Sequence, residues 1–118
     1  MRPGNLCAVE WDEGEYRAVK ILAFEDGIVH VRIYADKFAE RPFQVDPAQL
    51  DLGVIHRSFG IAHLPVSAED FVGWLPGVVG HEAVQPEELL EYELWREAQD
   101  ARRRPALVED LLHFIDRR

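Results

Sequence analysis

Among 118 residues there is one cysteine, Cys7, so no disulfide can close within the chain. The fold must rest on a packed core, and the composition fits a reducing compartment. No positively charged start leads into a long apolar run, so no signal peptide is expected. No apolar stretch approaches the roughly 18 residues that span a bilayer. The expectation is a cytoplasmic protein with no membrane association. Basic charge is also scarce: 13 Lys and Arg stand against 22 Asp and Glu, a formal net charge of −9. Nucleic-acid binding needs a basic surface that displaces counterions, and the one basic run, Arg102-Arg103-Arg104, sits among glutamates. A basic protein is the expected partner, not a nucleic acid.

The residues of catalysis are missing in any organised form. His81-Glu82-Ala83-Val84-Gln85 begins like a zinc-protease helix, but Gln85 stands where the second histidine belongs, and Gly80 and Pro86 interrupt the helix. His56 and His63 could meet across a loop, which leaves a histidine-based hydrolase as an alternative. Two histidines without a neighbouring cysteine do not make a metal set. Cys7 alternates inside an apolar run and reads as a buried thiol. Ser58 and Ser67 lack a Gly-x-Ser-x-Gly setting, and the glycines are too scattered for a phosphate loop. No catalytic residue, metal or cofactor is expected.

What is present is a strand-rich first half. Residues 6–11 and 16–24 are apolar, β-branched and aromatic, and Asp12-Glu13-Gly14-Glu15 turns between them. Asp26-Gly27 is a hairpin signal. In 28–35, Val29, Val31 and Ile33 alternate with His30, Arg32 and Tyr34, which predicts one buried face and one exposed face. Pro42 limits the next strand, around Phe43–Val45, to an edge or a start. Asp46 then caps a helical turn with Pro47 at its first position. A further strand is expected within 54–64. Ser67 opens a short helix stopped by Gly73, and 77–84 reads as a loop or a short strand. Pro86 opens the clearest helix, with Leu90, Leu94, Ala98 and Ala101 on one stripe and Tyr92 and Trp95 beside it. A last helix, about 106–116, presents Leu107, Val108, Leu111, Leu112 and Ile115, with His113 on its polar side. The predicted class is α+β: a small β-barrel over 1–52, then a mainly helical extension over 53–118 packed on it. The apolar face of the last helix covers the barrel or, alternatively, pairs two copies of the chain into a homodimer.

Gly4, Cys7-Ala8-Val9-Glu10-Trp11, the acidic turn, Tyr16-Arg17-Ala18, Val31-Arg32-Ile33-Tyr34 and the stretch ending at Leu50 together resemble a Tudor domain of the survival-motor-neuron type, an SH3-like barrel. The resemblance covers about residues 4–52. In that family aromatic rings cage a methylated arginine or lysine, because ring faces hold a weakly hydrated cation. Trp11, Tyr16 and Tyr34 match cage positions. The fourth aromatic falls at Lys37, with Phe38 adjacent, and the polar residue after it falls at Ala39. The size, charge and β-then-α layout are also loosely similar to small bacterial immunity proteins that neutralise secreted toxins. The functional expectation is a non-enzymatic, acidic protein-binding module, in its most concrete form an immunity protein against a basic, nuclease-like toxin. Its expected contact residues are Trp11, Asp12, Glu13, Glu15, Tyr16, Tyr34 and Phe38. A methyl-mark reader is the main alternative.

Overall fold

A computed structural model of the protein describes residues 1–53 and 60–103. Three long strands run in sequence as an antiparallel meander: β1 (Asn5–Asp12), β2 (Glu15–Glu25) and β3 (Ile28–Phe38). Their turns follow local chemistry. Gly14 takes φ +72° between β1 and β2, and Asp26 and Gly27 take +50° and +77° between β2 and β3. Two consecutive positive φ angles match the right-handed twist of the flanking strands, and Asp-Gly tolerates them at least strain.

Two more strands complete the sheet. β4 (Ile61–Ser67) pairs with β3, and β5 (Gly77–His81) returns beside β1, giving the order β4-β3-β2-β1-β5. The sheet therefore runs across the boundary expected at residue 52. The α+β class holds, but β4 and β5 do not pair with one another among the described residues, so the sheet is open. Register shifts at Leu6/Cys7, Glu10/Asp12, Arg17/Val19, Ile21/Ala23 and Val31/Ile33 mark where it bends.

Phe43–Val45 is not a strand; it lies along β5 and makes one backbone bond to it, Val45 N–H to the Val79 carbonyl (3.1 Å). The Pro47–Gln49 turn forms as expected, Asp46 Oδ1 accepting from the Ala48 amide at 3.0 Å. Helix α1 (Ala68–Gly73) is likewise capped by Ser67, whose hydroxyl accepts from the Asp70 amide at 3.0 Å. A 3-10 turn (Pro86–Leu89) leads into α2 (Leu90–Arg103). The expected helix at 106–116, His56, and residues 54–59 of the strand expected within 54–64 lie outside the described residues.

Both faces of the sheet are covered. On one, Cys7, Val9, Val19, Ile21, Val29, Val31, Ile33 and Val66 pack with Phe71 of α1. On the other, Leu6, Ala8, Ala18, Tyr34, Val45 and Val79 pack with Leu50 and Leu52. The second face corrects the alternation reading of β3. Tyr34 is buried and His30 wholly so, because the 41–52 segment and α2 close over that face. Helix α2 also turns a different side inward than predicted. Leu90 and Leu94 face solvent, while Tyr92 and Trp95, with Glu88 of the preceding turn, line the packed side. The inward side carries a polar anchor instead of an aliphatic stripe.

That anchor is Lys20, wholly buried at the centre of β2. Its ammonium donates to Glu88 Oε1 and Glu82 Oε1, both at 2.9 Å, and to the Ala83 carbonyl at 3.1 Å. Arg32 approaches the other Glu88 oxygen at 3.4 Å. Burial pushes the Glu88 carboxyl up, but its bonds to Lys20 and the Gln85 amide, with the charges of Lys20 and Arg32, hold it below the usual carboxylate value. An ammonium in the interior is tolerable only with its donors filled this way.

Candidate functional site

The expected contact residues fall mostly at the end of the sheet where β1 passes into β2. Strand register sets Glu10 opposite Tyr16, Asp12 opposite Glu15, and Tyr16 opposite Phe38. Asp12 and Glu13 are exposed on the tip, Asp12 Oδ1 accepting from the Glu13 amide at 2.8 Å. Glu15 is half-exposed beside Lys37, at 3.7 Å. Among the described residues these acids make no deeper ion pair, and they form a solvated rim.

Trp11 lies at the Glu10/Asp12 bulge with 37% of its surface exposed. Its ring meets Trp74 edge-on, centroids 5.6 Å apart, and Trp74 meets Phe71 at 5.9 Å. The buried Arg17 guanidinium sits 5.3 Å from the Trp11 ring centre. Its Nε donates to the Tyr34 carbonyl at 3.1 Å. Tyr16 likewise carries a guanidinium, that of Arg41, at 5.0 Å. Arg41 Nη1 donates to the carbonyls of Ala8 (3.2 Å) and Leu75 (3.0 Å), tying the 39–46 loop to β1 and to the α1–β5 connection.

The four aromatics do not converge. Trp11 packs with Trp74 at the margin of the first core face, whereas Tyr34 belongs to the second, against which Phe38 also packs. Burial raises the Tyr34 phenol to about 12, and the nearby Glu88 charge adds to the shift. Tyr16 and Phe38 are cross-strand neighbours, and both are half-buried.

Around Arg41 the chain gathers apolar surface that local sequence patterns did not mark. Phe43 is 96% exposed, Leu75 60% and Val78 53%. Arg41, Pro42, Phe43, Gly77 and Val78 line a shallow hollow of about 180 Å³. Leu75 adopts φ +55°, a region costly to residues with a β-carbon. Trp74 was visible as a tryptophan and Phe43 as an aromatic after proline. The nearness of Trp74 to Trp11 spans some sixty residues of chain, which no local pattern reveals.

The remaining candidates sit elsewhere. His63 meets His30 beneath α2. His81 lies on β5, its Nδ1 3.4 Å from Asn5 Nδ2, so no helix runs through His81–Gln85. Burial pushes the Cys7 thiol up to about 11, against a smaller lowering by the N-terminus, which leaves it a poor nucleophile. Among the described residues no group of three or more His, Cys, Asp or Glu side chains is placed to hold a metal ion, and no helix is long and apolar enough to cross a membrane. The chain matches no protein family, no curated protein and no solved structure.

Proposed function

We propose that the protein is a non-enzymatic binding module that docks a basic protein partner on the Trp11 end of its sheet. The observation that carries this reading is the exposed Trp11 ring set edge-on to Trp74 beside the acidic tip Asp12, Glu13 and Glu15, with Leu75, Phe43 and Val78 exposed around Arg41. Aromatic anchors inside an acidic rim supply affinity and steer an oppositely charged partner. The net charge of −9 extends the same field over the molecule. In its most concrete form the partner is a nuclease-like toxin, whose phosphate-gripping site is basic, and the module is its cytoplasmic immunity protein. A last strand returning beside the first, with a helix between the last two strands, supports reading the sheet as an SH3-type barrel left open.

The methyl-mark alternative has less behind it. A methylated cation would have to displace Arg17 and Arg41 from the Trp11 and Tyr16 rings, and Tyr34 is buried away from both.

The test is affinity capture from the native source at low and high salt, with identification of what is retained, using the wild-type chain and Trp11→Ala and Phe43→Ala variants. A basic protein held at low salt, weakened by salt and lost with either substitution supports the proposal. Retention of no basic protein at low salt refutes it.

A further inference from the structure

His30 and His63 meet beneath α2, toward the opposite end of β2 from the acidic tip. Their rings are nearly parallel (10°), with centroids 5.1 Å apart and His30 Nδ1 only 2.9 Å from His63 Nε2. With the nitrogens so much closer than the centroids, the rings meet edge to edge through a hydrogen bond and do not stack face to face. His30 is wholly buried, and its Nε2 has no hydrogen-bond partner among the described residues. Two rings of α2 enclose it: Tyr92 with centroids 4.5 Å away at 64°, and Trp95 at 4.7 Å and 67°.

These contacts select one arrangement of protons. If His30 Nδ1 donated, its bare Nε2 lone pair would be buried among rings that offer it no donor. If His63 Nε2 donates to Nδ1, His30 carries its proton on Nε2, where an aromatic face can accept it weakly. His63 is half-exposed, and its Nδ1 lone pair is then the pair's remaining site for a proton.

We propose that His30 and His63 form a proton-operated latch on α2: the hydrogen-bonded pair holds the Tyr92–Trp95 turn against the sheet, and protonation of both rings frees that turn. The hinge is the turn before it, where Glu88 is bound to Lys20. The carboxylates around the pair offset an added proton only in part, burial outweighing them. Glu25 of β2 is already engaged by the Tyr92 hydroxyl (2.9 Å) and by Arg96 (3.3 Å). Glu91 of α2 faces His63, and Arg32 lies beside the pair with its Nε on the Ala62 carbonyl at 3.3 Å. A proton shared within the pair preserves the N–H···N bond. A second sets two donors against each other and puts a charge on the enclosed His30 ring.

The direction of the pH response follows. Burial, then the charge of His63, hold His30 below the ordinary 6.5, against a smaller opposing pull from Glu25. Burial holds His63 below it too, against Glu91. The latched form binds fewer protons than the released form, so acidification below 6.5 favours release. Glu88 is held below 4.5, so the hinge stays closed through the interval between.

The test compares amide exchange, corrected for intrinsic pH dependence, at about pH 7.5 and about pH 5 in the wild type and a His30→Gln, His63→Gln double variant, with imidazole ¹⁵N shifts of the wild type. Protection over residues 90–99 should fall by about tenfold or more in the wild type. Residues of β1–β3 should keep theirs, and the double variant should show no such fall. At the higher pH the ¹⁵N shifts should place the His30 proton on Nε2. Unchanged protection in the wild type, or an equal fall in the double variant, overturns the latch. If the double variant does not fold, the ¹⁵N titration decides: His30 titrating at the ordinary histidine value overturns the proposal, and a depressed titration coincident with the loss of protection sustains it.

Discussion

Lys20 shows how a single residue can dictate the geometry around it. Its ammonium is wholly buried and must be met by acceptors, and those come from the 82–88 segment. Lys20→Met removes the cation and leaves the Glu88 carboxylate without its closest partner. Breaking a buried pair from one side costs about 3–5 kcal/mol, which urea denaturation at neutral pH should register. Glu88 has a folded pKa below its unfolded value. Its contribution is complete above the ordinary carboxylate range and is lost as pH falls through the folded value. A Glu88→Gln chain should therefore lack part of the acid-unfolding limb below about pH 4.5 that the wild type shows in a circular-dichroism titration.

Elements were legible in the sequence to different depths. The Asp-Gly turn, the Asp46 and Ser67 caps and the alternation of Val29, Val31 and Ile33 are short-range signals, and each appears where its chemistry demands. The inward side of α2 was not legible. Its hydrophobic stripe predicted Leu90 and Leu94 inside, yet Tyr92, Trp95 and Glu88 pack inward because their partners are Glu25, His30 and Lys20 on the sheet. A polar anchor and its partner can be recognised only together, and here they lie more than sixty residues apart. The candidate site divides the same way: the acidic tip and Trp11 were legible, whereas Trp74 meets Trp11, and Leu75 and Phe43 gather about Arg41, only in the folded chain. At this scale Ser67→Ala should cost about 1 kcal/mol. Helix α1 carries Phe71 into the core and leads into Trp74, so near-ultraviolet dichroism should report the loss together with thermal unfolding.

For the whole molecule, the charge imbalance acts at a distance that no single contact covers. Asp12, Glu13 and Glu15 stand at the tip of a chain whose net charge is −9. Replacing all three by their amides brings the charge to −6 and removes the focus of the field. The association rate with the proposed basic partner should drop by about tenfold or more at low salt and lose much of its salt dependence, with dissociation less affected. Stopped-flow measurement across an ionic-strength series would show this. An equal drop at high salt would mean that the three acids act by contact and not by steering.

Leu75 separates two properties that mutational work usually confounds. Its backbone sits where a leucine is strained, at a cost of roughly 1–2 kcal/mol, and its side chain is mostly exposed. In Leu75→Gly the relief of strain is set against the extra freedom that glycine gives the unfolded chain, about 0.4–1 kcal/mol. Thermal stability should therefore stay level or rise slightly while an aliphatic contact disappears from the docking surface. Weakened partner binding in that variant would be assignable to the lost side chain alone, giving the protein a built-in control for telling recognition apart from folding.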